Sequence, residues 1–512
     1  MSSRISCYHT HMKWLTKSDY LKFLIHPAYL WLQKHAKDRL PPFDEVTQAI
    51  VDAGNEIEAV ARRLFPDGAL VASLFEDSVR DTQAYVKAGE RTIFQAAVLT
   101  DRRLYAKADV LTRNTDGSWD LHEIKSSTKE KPEHIHDLAF QKNAFEISGY
   151  EIRRTRLVHI NNHYVRRGEL EPDKLFASID VTAKVEAAMA ATRRRIEEAL
   201  DVIALPQCPD DNPTLARNWY GWRDIYRHLH PELPPDSIYN LTRLDGPQVR
   251  ALATLGVTDM AAIPANFELK PPQYAQVETL RTGKPIVHAR KIQHHLSRLA
   301  FPLYFFDYET VGGGLPPYDG LRPYQQAPFQ YSLHILRAPG ATLEHREFLA
   351  TTQHNPMPAL LGQLQRDIGP QGSVVVWYKD FEGGVNTAMG RIYPEHAAFL
   401  QNLNSRLYDL MEIFSNFYYV DVEFGGSASI KSVLPVLVPE MHYGELEIQR
   451  GDVASVRWSQ AVGEQLAAGE AAKILEDLRT YCRQDTLAMV RIYEFLMNLQ
   501  QTAPGVQMSL LG

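Results

Sequence analysis

Tyr304-Phe305-Phe306-Asp307-Tyr308-Glu309-Thr310 sets two carboxylates at positions i and i+2 at the end of an apolar run. Residues 303 to 306 read as a short buried strand, and side chains two apart on a strand share a face. Asp307 and Glu309 are therefore expected to point the same way, as two acids sharing divalent cations would. Taken alone, the alternative is a strand end carrying two solvated acids. The rest of the chain decides between them.

Val374-Val375-Val376-Trp377-Tyr378 is a second buried-strand run, leading into Lys379-Asp380-Phe381-Glu382. Farther on, Ala471 to Leu499 carries apolar residues at helical spacing, so Tyr481 and Asp485 are expected on one helix face. Strand acids, an acid after another strand and a Tyr-x-x-x-Asp helix, in that order, resemble the DEDD exonucleases of the DnaQ-like, ribonuclease-H-fold superfamily, in their tyrosine subclass. The resemblance implies that Asp307, Glu309, Glu382 and Asp485 hold two Mg²⁺ or Mn²⁺ ions about 3.5 to 4 Å apart. It also implies that Tyr481 orients the attacking water. For the second acid, Asp380 and Glu382 are both candidates, and the Phe-acid order favours Glu382. Asp409 reads as a structural neighbour of the site.

The N-terminal half holds a separate constellation. Lys107 to Leu111 and Trp119 to Lys125 are strand-like and flank Asn114-Thr115-Asp116-Gly117, a turn signal. With the hairpin centred near Asp116, Asp109 faces Glu123 and Lys107 faces Lys125. Asp, hairpin, Glu-x-Lys resembles the core of the PD-(D/E)XK nuclease fold. That likeness implies Asp109 and Glu123 as metal ligands and Lys125 as the group that positions hydroxide and stabilises phosphorane charge. Gly54 to Pro66 resembles the opening helix of RecB-like nucleases, with Glu56 as a metal ligand. Gln141-Lys142-Asn143-Ala144-Phe145 is similar to their Gln-x-x-x-Tyr motif, with Gln141 against the nucleic acid or the water network.

The opening Leu15 to Leu32 resembles CRISPR-associated RecB-like nucleases and a bacterial family that fuses such a nuclease to a DEDD domain. The likeness covers nearly the whole chain, and its most specific part is Gly425 to Pro435, followed by Tyr443 and Gly451-Asp452. There a Gly-rich turn and Lys431 suit phosphate contact, with a loop packed beside the site as the alternative. Family members usually carry four cysteines for an iron-sulfur cluster. This chain has three cysteines, Cys7, Cys208 and Cys482, with His26 at the place of the first, so no iron-sulfur cluster is expected.

The fold class expected is α/β, with a PD-(D/E)XK nuclease fold over 1–205, a mostly helical linker over 206–295, and a ribonuclease-H-like mixed-sheet fold over 296–500. The linker is rich in proline, and 241–257 loosely resembles a helix-hairpin-helix. Residues 501–512 read as a flexible tail whose Gln507, Leu510 and Leu511 resemble the bacterial sliding-clamp-binding peptide. The 512 residues, 45% hydrophobic, suffice for two or three cores, and no long apolar span implies a membrane. Few cysteines and no leader-like segment suggest a cytoplasmic protein. A formal charge of -7 argues against whole-surface binding of nucleic acid, though not against a site whose acids are neutralised by metal. The expected function is metal-dependent hydrolysis of nucleic acid, DNA being favoured, in repair, recombination or mobile-element defence. The alternative is a catalytically degenerate nucleic-acid-binding scaffold.

Overall fold

The computed structural model describes residues 14–65, 67–463 and 466–502, and the tail residues Gln507, Leu510 and Leu511 lie outside this range. The protein is mixed α/β and divides into two compact units. One unit takes the chain up to 43, 50–233 and 245–250, and the other takes 44–49, 234–244 and 251 onward. The segment 206–295 is thus shared between the two units. Among the described residues no helix is long and apolar enough to cross a membrane.

The first unit is built on a seven-stranded sheet. Its strands are β1 (Leu15–Thr16), β2 (Ala69–Leu70), β3 (Thr92–Leu99), β4 (Leu104–Arg113), β5 (Trp119–Lys125), β6 (Ile152–Ile160) and β7 (Phe176–Asp180). The order β2-β3-β4-β5-β6-β7 is antiparallel from β3 to β5 and parallel between β5 and β6. The β4–β5 hairpin turns where the sequence indicates, with Gly117 at φ 91°. It pairs Val110 with His122 and Arg113 with Trp119, the register that brings Asp109 level with Glu123.

β3 lines one edge of β4 from Tyr105 to Thr112. β5 can therefore lie only on the other edge, and it leaves β4 after Val110. β1 takes up that same edge at Leu104 and Tyr105. Lys107 consequently does not face Lys125 as the simple hairpin predicts, because the β4–β5 ladder has already ended and Lys107 pairs with Ala97 of β3. Asp109 falls at the split, between the end of the β5 ladder and the end of the β1 ladder along β4. Over the sheet packs α3 (Pro132–Ile147), below α4 (Thr182–Ala204), with Leu138, Phe140 and Phe145 wholly buried. α1 (Lys17–Ile25) follows β1 directly, and α2 (Glu45–Arg62) precedes β2. His26 caps the next helix: its Nδ1 accepts from Ala28 N–H at 3.0 Å, and its ring stacks on Trp222 at 4.3 Å.

The second unit holds a five-stranded sheet of β8 (Leu303–Val311), β9 (Ala327–Leu336), β10 (Glu344–Leu349), β11 (Ser373–Val376) and β12 (Leu407–Asp409), in the order β10-β9-β8-β11-β12. β9 runs antiparallel to β8 and β10, while β11 and β12 run parallel to β8. β8 is central, which explains its unbroken apolar start: a strand covered on both faces cannot alternate. Tyr304, Phe306 and Tyr308 enter one core, while Leu303 and Phe305 enter another with Leu478, Tyr481 and Met489 of α8 (Ala468–Thr502). Asp307 and Glu309 continue the Leu303–Phe305 face, so the sheet delivers both acids to the side on which α8 lies.

Candidate functional site

Three segments of the second unit converge on a cavity of about 700 Å³ lined by Asp307, Glu309, Glu382, Lys431, Tyr481 and Asp485. β8 contributes Asp307 and Glu309. Glu382 stands in the first turn of α5 (Lys379–Ile392), which springs from the end of β11. α8 contributes Tyr481 and Asp485, four apart on one face. Glu382 is 3% exposed whereas Asp380 is exposed, so the helix turns Glu382 inward. Its Oε2 is buried with no hydrogen-bond partner. Asp409 takes the structural place expected of it, its Oδ2 accepting from Lys379 N–H and its Oδ1 from Met411 N–H, both at 3.0 Å.

Crowding four acids in a buried place makes each harder to ionise. Burial, then the charges of Asp485, Glu309 and Glu382, push Asp307 well above its usual range. Burial and Asp485 do the same to Glu309. Glu382 is pushed up to about 8, by burial first and then by Asp409. Asp485 reaches only about 6, because burial is opposed by hydrogen bonds from Tyr443 and Tyr481 and by the charge of Lys431. Hard carboxylate oxygens with an unpaired Oε2 among them suit a divalent cation such as Mg²⁺ or Mn²⁺. The Sγ of Cys482 lies with carboxylate oxygens of Asp307 and Glu309 in a group whose atoms are all within 4.8 Å of one another.

Lys431 is the cation of this cavity. Its Nζ donates to Tyr481 Oη at 3.1 Å and lies over the rings of Tyr443 and Tyr481 at 5.4 and 5.1 Å. Tyr443 donates to Asp485 Oδ1 at 2.5 Å. That role was hidden in the sequence, since the two partners lie 42 positions apart. The Gly-rich turn before Lys431 is packed: Gly426 has φ 72°, and a Cβ there would fall 2.7 Å from Gln276 and Thr242. Ser429 and, at the start of α6 (Ile430–Leu437), Ile430 and Lys431, not the glycines, line the cavity. On its far side Gly451, Asp452 and Ser455 bring in the start of α7 (Gly451–Val462), with the position of a Gly451 Cβ 3.4 Å from Glu309 Oε2.

The first unit gathers a second group at the β4–β5 split. Asp109 Oδ2 accepts from Ile124 N–H at 2.8 Å, which fixes it beside Glu123. Glu123 Oε2 accepts from Gln141 Nε2 at 2.7 Å, and Oε1 accepts from Lys125 Nζ at 2.6 Å. Three residues absent from the sequence expectation join them. Asp137, one turn before Gln141 on α3, accepts from Lys125 at 2.6 Å and from Gln141 at 2.8 Å. Lys17 donates to Glu123 Oε1 at 2.8 Å. Gln95, at φ 55°, aims its amide at Glu58 Oε1 at 2.5 Å and at Asp109 Oδ1 at 3.4 Å. A left-handed non-glycine residue is strained, and such strain persists where the surroundings demand it.

Glu56 is corrected. It is exposed on α2, while Glu58 is turned toward Gln95 and Asp109. Two helix positions apart is about 200° of rotation, so the two glutamates cannot share a face. Burial and Glu123 push Asp109 up to about 7 against the pull of Lys17. Glu123 is buried too, yet Lys125 and Lys17 hold it well below the usual carboxylate range. Lys125 is held above its ordinary value: burial lowers it, and Glu123 and Asp137 more than compensate.

A family model matches residues 304–429, described as a Domain of unknown function (DUF2779). The match takes in Asp307, Glu309 and Glu382, and stops short of Lys431, Tyr481 and Asp485. The chain is also similar to three uncharacterized proteins: UU173 of Ureaplasma parvum, 23% identical over 220 residues, covering 38% of this chain and 31% of the relative; the MG366 homolog of Mycoplasma pneumoniae, 26% identical over 234 residues, with coverage of 42% and 35%; and MG366 of Mycoplasma genitalium, 23% identical over 244 residues, with coverage of 44% and 36%. The chain thus spans about a third of the length of these curated relatives. Among solved structures, the crystal structure of SSO0001 is 14% identical, covers 43% of this chain and 85% of that one, and has a TM-score of 0.21, a level that does not establish a shared fold.

Proposed function

We propose that the protein is a metal-dependent nuclease with two sites, a DEDD-type 3′-5′ exonuclease centre in the second unit and a RecB-like PD-(D/E)XK centre in the first. The observation that carries this reading is the meeting of Asp307, Glu309, Glu382 and Asp485, brought by three separate segments, in one cavity with Tyr481. Three buried carboxylates and a half-buried one sharing one lysine are costly without a countercharge. Asp307, Glu309, Glu382 and Asp485 would hold Mg²⁺ or Mn²⁺, which when bound supplies the charge that eases deprotonation of a water and stabilises a leaving oxygen. Sequence likeness to DEDD enzymes supplies the 3′-5′ direction.

The residues divide the remaining work. In hydrolysis the water oxygen forms a bond to the terminal phosphorus, the bond from phosphorus to the 3′ oxygen of the preceding nucleotide breaks, and a 5′-mononucleotide leaves. Tyr481, steadied by Lys431 and hydrogen-bonded to Asp485, holds its hydroxyl over the cavity to orient that water. Tyr443 fixes the Asp485 carboxylate. Lys431 lies at the cavity wall, where it can meet a phosphate oxygen. In the first unit Asp109 and Glu123 are the ligand carboxylates, with Glu58 taking the part expected of Glu56. Lys125, fully protonated at neutral pH, stabilises charge on the phosphorane, and Gln141 anchors Glu123. Contacts of this kind read phosphate and metal rather than base edges, so little sequence preference is expected.

The test is a gel assay of end-labelled single- and double-stranded DNA and RNA with Mg²⁺ or Mn²⁺. Stepwise 3′ loss abolished by Asp485→Ala, and a separate cleavage abolished by Lys125→Ala, support both sites. Binding of nucleic acid with no cleavage by the wild type overturns the reading.

A further inference from the structure

Lys17 lies among the first unit's carboxylates as an ion would. Its Nζ is 2.8 Å from Glu123 Oε1, 3.9 Å from Asp109 Oδ1 and 3.9 Å from Asp137 Oδ1, so it contacts all three acids at once. The position is built rather than incidental. Lys17 is the first residue of α1, directly after the β1 pairing of Leu15 with Leu104 and Thr16 with Tyr105. Thr16 and Asp19 form a capping box at that point, with Asp19 N–H donating to Thr16 Oγ1 at 3.2 Å and Thr16 Oγ1 donating to Asp19 Oδ2 at 2.6 Å. Asp19 is in turn paired with Lys34 at 2.5 Å. Strand, cap and ion pair together fix the backbone from which the ammonium reaches, and the side chain is 25% exposed.

The two units are balanced differently. In the second, four carboxylates meet one lysine, which gives its hydrogen bond to Tyr481, and Glu382 Oε2 is left unpaired. In the first, Asp109, Glu123, Asp137 and Glu58 meet Lys17, Lys125 and the Arg62 that pairs with Glu58 at 2.7 Å, and both lysines reach Glu123 Oε1. A divalent ion bound to Asp109 must sit with an ammonium about 4 Å from that carboxylate, and a second ion would have to share Glu123 Oε1 with both lysines. We infer that Lys17 is a built-in cation that takes the place of one divalent ion, so that the first-unit site holds a single Mg²⁺ or Mn²⁺. The inference rests on the proposed metal-binding role of Asp109 and Glu123. Lys17 is then a positioning residue, holding Glu123 and Asp137 for the one ion and for Lys125.

The experiment counts Mn²⁺ bound to the full chain by electron paramagnetic resonance of the free ion, with Asp307→Asn and Asp485→Asn present to silence the second unit. One ion is expected with Lys17, and two with Lys17→Met, the second at least about tenfold tighter than any further ion in the Lys17 protein. Lys17→Gln, which keeps a hydrogen-bond donor for Glu123 without the charge, should behave as Lys17→Met does and serves if the apolar variant does not fold. Asp109→Asn should remove the single ion. Two ions with Lys17 in place, or one ion in all Lys17 variants, overturns the inference and leaves the metal site standing. No bound ion in any of these proteins overturns the metal site and the inference with it.

Discussion

Glu382→Gln should stabilise the metal-free protein at alkaline pH while removing part of its response to Mn²⁺. Glu382 is 3% exposed and its Oε2 has no partner, and burial pushes its ionisation up from the usual carboxylate range near 4.5 to about 8. Because the folded value lies above the unfolded one, the unfolded chain gives up this proton first. Stability is therefore greatest below about pH 4.5 and is lost as pH climbs toward 8. At pH 8 the loss from this one group is roughly 4 kcal/mol, at about 1.4 kcal/mol per pH unit. A glutamine has no proton to lose. Glu382→Gln should recover up to roughly that amount, a rise in melting temperature on the order of 10 °C for a unit of this size. The gain should fade to nothing near pH 4.5. Mn²⁺ should reverse the order, because an ion that binds only the folded wild type stabilises it by mass action. Thermal melts of both proteins at pH 5 and pH 8, with and without Mn²⁺, check all four corners. A variant no more stable than wild type at pH 8, with an unchanged Mn²⁺ shift, refutes the reasoning.

Other substitutions separate the parts of the account. Lys125→Ala should abolish the first-unit cleavage and spare 3′ trimming, read from internally labelled and 5′-labelled strands on one gel. Tyr443→Phe removes the 2.5 Å hydrogen bond to Asp485 and should move the acidic limb of the 3′-trimming pH profile up by roughly one to two units, since a hydrogen bond to a charged group is worth about 1.5–3 kcal/mol. Glu58→Ala should weaken Mn²⁺ binding in the first unit while Glu56→Ala leaves it as in the wild type, measured by Mn²⁺ titration. Equal effects of the two would return the ligand role to Glu56.

Three of the four acids of the second unit's candidate site follow a strong local signal, and the Asp380 or Glu382 position was the weak one. Asp307 and Glu309 end an aromatic strand run, and Tyr481 and Asp485 are one helical turn apart, so face and spacing could be read directly. Glu382 over Asp380 followed from the order of residues, and the burial of Glu382 agrees with it. Tyr443 could not be paired with Asp485, because they lie 42 positions apart in the sequence with no periodicity linking the two. In the first unit the hairpin register was legible from the turn, and with it the meeting of Asp109 and Glu123. Lys107 failed because β1, distant in sequence, replaces β5 along β4. The same long-range pairing is what sets Lys17 beside Glu123. Glu56 failed for a helical reason: the apolar pattern of α2 is weakly buried, with only Ile57 and Ala61 inside, so the phase of its inward face was not fixed by composition. Asp137 could have been found from its spacing, four before Gln141 on a helix that is buried along most of its length.

The most direct test of the central claim is to identify by mass spectrometry what the protein releases from unlabelled single-stranded DNA in Mn²⁺. The account predicts 5′-mononucleotides from the wild type and from Lys125→Ala, and none from Asp307→Asn or Asp485→Asn. Mononucleotides from all four proteins, or from none of them, would contradict it.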